Sequence, residues 1–357
     1  MTFKQIVARI KGASLKERIT FTKNLALIIK AGMPLPQGLT MLSGQAQSPL
    51  LKEALSEVVG AVNKGKNFSE ALEAYPSLFN DFYISMVKTG EVGGTLENVL
   101  NDLTRHMEKE HALRSRVLGA LMYPLIILSV MVVVAIVMMI FVVPQLSKVF
   151  KDFHVELPLM TRVMIGASNV VANYSVLVIG GLCSFIFALW YVSMKTKQGK
   201  RVFAWLFLHA PLVGALVKKI NTARIARSLQ TLIQAGLGIV QALSVTSGLV
   251  KNVYYKEALY TTGKEVEKGK TLHEILATFP SLFSPLMVQL IAVGEETGSI
   301  DVVLEQLAAS YEEDVDVITK NLPSMIEPIL MVFIGSSVGF FAISMLQPIY
   351  AITSSIH

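Results

Sequence analysis

The sequence predicts an all-α membrane protein: two homologous six-helix bundles on the cytoplasmic side and three transmembrane helices. Three observations carry that prediction. Hydrophobic residues make up 52% of the 357 and charged residues only 16%, with a mean hydropathy of +0.54. That is too apolar for a soluble enzyme and calls for membrane spans. Apolar runs nearly free of charge lie at residues 121–143, 170–194 and 324–347. Finally, a long helix-patterned stretch occurs twice, at a constant offset of 204 residues.

The repeat is read from its sharpest matches. Gly90-Glu91 meets Gly294-Glu295, and Gly94 meets Gly298. Ala31-Gly32 meets Ala235-Gly236, and Lys52-Glu53-Ala54-Leu55 meets Lys256-Glu257-Ala258-Leu259. Pro76-Ser77-Leu78-Phe79 meets Pro280-Ser281-Leu282-Phe283, Pro124 meets Pro328, and Pro144 meets Pro348. A period this long is no solenoid unit; it fits a whole domain plus the span that follows it.

Residues 1–14 place Phe3, Ile6, Val7 and Ile10 at helical spacing with Lys4, Arg9 and Lys11 between them. This is a short amphipathic helix, lying on the membrane surface or packing on the next domain. It lacks the apolar core of a signal peptide. Residues 15–120 form the first bundle. Leu15 to Ala31 is periodic and stops at Gly32. Pro34–Gln47 is a second helix, and Ser48-Pro49 opens a third that ends at Gly65. Asn67, with Glu70 three residues on, is capping-box-like and opens a fourth. A fifth runs from about Asn80 to Val92, and Thr95 caps a long sixth through Arg116.

Residues 121–143 form the first span. Residues 144–169 are a polar periplasmic loop, and 170–194 the second span, closed by Trp190 and Tyr191 as an interfacial belt. Residues 195–323 repeat the bundle after a basic start at Lys195, Lys197, Lys200 and Arg201. Residues 324–347 form the third span, and 348–357 a periplasmic tail. Of the 32 Lys and Arg, 15 lie in residues 1–120, 14 in 195–323 and three in 145–162. The positive-inside rule then puts both bundles in the cytoplasm. The duplication demands the same: two like units share an orientation only if a return span separates them.

No nucleotide loop, metal-spaced His/Cys cluster or nucleophile elbow occurs, so no catalytic, cofactor-binding or metal-binding residue is expected. His106 and His111 stand five apart, off the i,i+3 or i,i+4 spacing of a metal site, and read as solvated or packing residues. The lone Cys183, in an apolar run, reads as packing. The net charge of +6 is spread among acids on helical segments, which argues against nucleic acid. Glu91 and Glu295 have two compatible readings. Each caps the start of the helix that follows, closing its turn, or each is an acidic knob on a glycine turn that meets a partner. Gly90, Gly94, Gly294 and Gly298 form those turns. Pro124, Pro144, Pro328 and Pro348 bracket the repeated spans and are expected to break or bend them at the membrane boundary. Glu327 stands at the mouth of the third span, as an intramembrane functional acid or a side chain reaching the interface.

The chain resembles the PilC/GspF family, the inner-membrane platform proteins of type IV pilus and type II secretion machines. Phe21 through Leu35 (FTKNLALIIKAGMPL) is similar to the family's opening helix. Thr89-Gly-Glu-x-Gly-Gly-x-Leu96 and Gly294-Glu-x-x-Gly-x-Ile300 are similar to its paired Gly-Glu turns. Arg116 through Pro124, on to Val142-Val143-Pro144, is similar to its signature around the first span, and Leu157-Pro-x-x-Thr161 to its loop. The front segment is shorter than in many members. The resemblance implies a bacterial inner-membrane scaffold without catalytic activity. It implies partners: a hexameric assembly or retraction ATPase on the cytoplasmic side, pilin or pseudopilin subunits in the bilayer, other inner-membrane components of the machine, and further copies of itself. Gly335-x-x-x-Gly339 is a close-approach motif for such helices or for packing within the chain. The implied role is a pilus platform, with a secretion platform as the alternative. From another class, an oligomeric small-solute transporter also uses repeats and an acid at a span mouth. Three spans without a midplane charge argue against it.

Overall fold

The computed structural model describes residues 13–152, 159–211 and 213–355, and among these the regular elements are all helices. Residues 1–12, most of the amphipathic front segment, lie outside the described residues. The first copy consists of α1 (Leu15–Lys30), α2 (Leu35–Gln45), α3 (Pro49–Asn63), α4 (Phe68–Leu72), α5 (Asp81–Gly93) and α6 (Leu96–Val137). Then come α7 (Val143–Asp152), α8 (Leu159–Asn173), α9 (Ser175–Lys195) and α10 (Lys197–His209). The second copy is α11 (Val213–Gln234), α12 (Ile239–Leu249), α13 (Val253–Glu267), α14 (Leu272–Ala277), α15 (Pro285–Thr297) and α16 (Ile300–Ser355).

The copies match to the residue: α2, α3 and α5 begin and end at positions equivalent to those of α12, α13 and α15. The same punctuation sets both. Gly32, Gly65 and Gly94, and their counterparts Gly236, Gly269 and Gly298, all have positive φ, from 66° to 95°. Each turns the chain where a helix stops, in a conformation open to glycine without strain. The cores also correspond. Leu25, Leu39, Leu55, Phe79 and Leu100 are buried, as are Leu229, Leu243, Leu259, Phe283 and Leu304. Each such side chain contributes about 1.5–3 kcal/mol of apolar burial.

Residues 13–115 and the described part of Arg201–Asp316 make one compact unit, so the two bundles, read from sequence as separate domains, share one continuous core. Arg116–Lys200 and the chain from Val317 onward make the other unit. Among the described residues, two helices are long and apolar enough to cross a membrane, within Leu96–Gln145 and Ile300–Leu346. Side chains such as Val130, Val133, Met331 and Val332 are exposed on them.

Three expectations are corrected. The sixth helix does not stop at Arg116: α6 runs 42 residues from the bundle into the first apolar stretch, and α16 runs 56 residues through the third. Both helices continue through a proline, Pro124 in α6 and Pro328 in α16, where a break or bend is expected from sequence. The segment 144–169 is not simply a loop, since α7 and α8 occupy most of it. The tail beyond residue 347 continues α16 to Ser355. Where the second crossing is expected, α8 ends at Asn173 and α9 supplies 21 residues, about 32 Å of helix.

Candidate functional site: the repeated glycine–glutamate turns

The turns are built from backbone demands. At the end of α5, Gly94 takes the left-handed conformation (φ 66°). The Thr95 N–H then donates to Gly90 O at 2.9 Å and the Gly94 N–H to Glu91 O at 3.4 Å. At the end of α15, Gly298 (φ 69°), Ser299 and Gly294 repeat those two bonds at 2.9 and 3.4 Å. This closes the terminal carbonyls of each helix. Gly90 meets a second demand, closeness. A Cβ there would lie 3.0 Å from Val99 Cβ and 3.1 Å from Leu96 Cα; at Gly294 the Ile300 Cα would be 3.1 Å away. Helices α5 and α6, like α15 and α16, approach too closely for a side chain.

The glutamates do cap helices, but the helix differs from the expected one. Glu91 accepts from the Phe68 N–H (2.5 Å), the Ser69 N–H (2.9 Å) and the Ser69 hydroxyl (2.5 Å). Glu295 accepts from the Leu272 N–H (2.6 Å) and the His273 N–H (2.9 Å), and lies 2.6 Å from His273 Nδ1. The capped helices are therefore α4 and α14, earlier in the chain, not α6 and α16. Asn67, expected to cap α4, instead turns its side-chain amide to Glu70 at 3.2 Å. That leaves the first N–H groups of a five-residue helix to the acid from α5, which also complements the positive end of the helix. Both carboxylates are partly buried.

The four repeated prolines, expected at the membrane boundaries, do not end helices. Pro124 and Pro328 lie inside α6 and α16. Pro144 follows a π-helical turn, Met138–Val142, in which the Val143 N–H donates to Met138 O. In that register Met139 O would accept from residue 144, which as proline has no N–H. The Ser168 hydroxyl donates to Met139 O instead, at 2.5 Å. Pro348 likewise frees the carbonyl four residues before it, Ser344 O, and the Thr161 hydroxyl donates to that at 2.8 Å. One unrepeated helix, α8, thus satisfies the orphaned carbonyl of both repeated prolines. Thr161 and Ser168 carried no signal by themselves, since the sequence does not say which carbonyls α8 meets. Glu327 is exposed on α16.

Charged pairs join the two copies. The Arg224 guanidinium of α11 forks onto the Glu110 carboxylate of α6 at 2.9 and 2.6 Å. Arg227 forks onto Glu312 at 2.8 and 3.1 Å, and Lys109 of α6 reaches the same carboxylate at 3.4 Å. His106 stacks on Phe82 with ring centroids 4.2 Å apart, and its Nδ1 is buried without a partner. Burial, then the nearby Arg227 and Arg224, push its imidazole down to about 3. His111 is exposed. Among the described residues, no three His, Cys, Asp or Glu side chains converge as a metal site would need.

Comparison with known proteins agrees with this duplication. The family model described as type II secretion system (T2SS), protein F matches twice, over residues 21–144 and 225–348. The two matches stand at the same offset as the repeated helices. The chain is 34% identical over 345 residues to the type IV pilus assembly protein PilC of Myxococcus xanthus, covering 97% of this chain and 82% of that one. It is 33% identical to the PilC of Thermus thermophilus, covering 99% and 86%. The type II secretion system protein F of Aeromonas hydrophila is 28% identical, over 97% and 89%. With its paired bundles, paired Gly-Glu turns and both family matches in register, the chain belongs to the PilC/GspF family of type IV pilus and type II secretion proteins.

Proposed function

We propose that the protein is the inner-membrane platform of a type IV pilus assembly machine. In this reading the two bundles face the cytoplasm, α9 is the return span between the repeated spans, and the chain crosses the bilayer three times. The bundles receive the motion of a hexameric assembly or retraction ATPase. The apolar helices meet pilin subunits being inserted or extracted, and several copies assemble around the growing fibre. The observation that carries the proposal is the unbroken α6 and α16, each a single helix from bundle to apolar segment. A continuous helix of this kind is a direct path by which motion of a bundle reaches the apolar segment that follows it in the chain. The pilus over the secretion system is favoured by the relatives named for pilus assembly, at 34% and 33% identity against 28–30% for relatives named for type II secretion.

The test is deletion of the gene, with pili counted by electron microscopy and pilin measured in sheared fractions. Loss of pili, restored by the intact gene, is expected. Pili at normal numbers would refute the platform role; normal pili with loss of a secreted enzyme would move it to type II secretion. Site-specific photo-crosslinking from exposed bundle positions should capture the ATPase in the complemented strain.

A further inference from the structure

A cleft of about 270 Å³ opens where the second copy lies against the first. Its walls come from α1, α5 and α6 on one side and from α11, the end of α12 and the turn after it on the other. Four cations line it, Arg18, Arg114, Arg224 and Lys251, against one carboxylate, Glu110. Arg224 already holds that carboxylate through two hydrogen bonds. Among the described residues no carboxylate lies within ion-pair distance of Arg18, Arg114 or Lys251. Three side chains of the lining also keep a buried polar atom without a partner: Arg18 Nε, His106 Nδ1 and Ser228 Oγ. Buried polar groups are ordinarily satisfied, so three around one cleft point to a polar ligand. Burial also lowers the Arg18 pKa from its ordinary value, as for a cation held out of water.

The duplication supplies an internal control. Arg18 Nη1 donates to Leu78 O at 2.7 Å. The equivalent carbonyl in the second copy, Leu282 O, takes its bond from the neutral Tyr255 hydroxyl at 2.8 Å, while Thr222 stands where Arg18 would be. The fold therefore does not require an arginine there. His106 corresponds to Ser310 and Met107 to Tyr311, whose hydroxyl closes on Ser284 at 2.7 Å. Glu110 corresponds to Asp314, which is paired with Lys219. In the second copy the Leu282 carbonyl, Tyr311 and Asp314 thus find local partners, whereas Arg18 Nε and His106 Nδ1 of the first have none among the described residues.

We infer that this cleft binds a small phosphate-bearing anion, held by the Arg18, Arg114 and Lys251 side chains. A fork such as guanidinium matches two phosphate oxygens at once, and three uncompensated cations around so small a space call for a ligand with several negative charges. The apolar part of the lining, Leu103, Met107 and Leu249, would take the remainder of the molecule. The phosphate belongs to a soluble phosphate compound or to the headgroup of an anionic lipid.

Isothermal titration of the purified full chain in a neutral detergent, with inorganic pyrophosphate as the probe, tests the site. Saturable one-to-one binding is expected, weakening as salt is raised. Arg114 and Lys251 are exposed and have no ion-pair partner among the described residues, so the double variant Arg114→Gln/Lys251→Gln should fold normally. Without ligand it should melt at or above the wild-type temperature, because like charges have been removed. Its affinity for pyrophosphate should fall at least tenfold, and the ligand should no longer raise its melting temperature. Dioctanoyl phosphatidate titrated in parallel separates the sources: tighter binding than pyrophosphate assigns a lipid headgroup, weaker binding a soluble phosphate. No saturable binding of either probe, or equal affinity in the double variant, overturns the assignment.

Discussion

Replacing Glu91 with alanine separates a helix cap from a partner contact. The carboxylate holds two backbone N–H groups, of Phe68 and Ser69, and the Ser69 hydroxyl. A hydrogen bond to a charged group contributes about 1.5–3 kcal/mol and loss of a helix cap costs about 0.5–2 kcal/mol, but these terms overlap. Water reaches the partly buried site and recovers some of the loss. The expected destabilisation is therefore about 2–4 kcal/mol for Glu91→Ala, and about half that for Glu91→Gln, which keeps one acceptor oxygen. For a unit of two bundles, roughly 2–4 °C per kcal/mol gives a fall in melting temperature of about 5–15 °C. Glu295→Ala should fall similarly, because its carboxylate meets the equivalent N–H groups of Leu272 and His273. The two sites share no partner, so their effects should add to within about 0.5 kcal/mol. The assay is helical circular dichroism of the full chain in detergent, beside pilus counts in cells. If Glu91→Ala melts at the wild-type temperature while pili disappear, the cap is not what Glu91 is for.

Three further outcomes are expected. Gly90→Ala and Gly294→Ala should each cost about 1–3 kcal/mol by overpacking, since the new Cβ meets backbone at 3.1 Å; thermal melts that match wild type would contradict that close approach. The His106 imidazole titrates near 6.5 when unfolded and near 3 when folded. Between those pH values the unfolded chain holds more protons, so stability should fall as pH drops, by at most about 1.4 kcal/mol per unit. Denaturant titrations at pH 7, 6 and 5 should show that slope, and His106→Gln should lessen it. Thr161→Val and Ser168→Ala should each cost about 1–3 kcal/mol by leaving a buried or partly buried carbonyl without its donor. Faster proteolysis near residues 139 and 344 should accompany them, and wild-type resistance would show that the carbonyls find other donors.

The paired Gly-Glu turns show how far a sequence carries by itself. Gly94 and Gly298 could be placed at helix ends because a left-handed turn calls for glycine wherever it occurs. That Glu91 and Glu295 would cap something was equally local chemistry. Which helix they cap was not, because the residue with free N–H groups lies 22 or 23 positions earlier. Hydrophobic periodicity assigns a face to each helix but names no neighbour for it.

What the sequence determined by itself was the helical class, the duplication, the family and the apolar segments, all properties of local composition and of self-comparison. Tertiary structure decided the rest. It merged two bundles into one core, since burial of facing side chains has no signature in either copy alone. It continued α6 and α16 through Pro124 and Pro328, where sequence rules expect a break. It also brought Thr161 and Ser168 to the carbonyls freed by Pro348 and Pro144, and gathered Arg18, Arg114 and Lys251 around one cleft. Those residues are scattered along the chain, and only packing in three dimensions makes them neighbours.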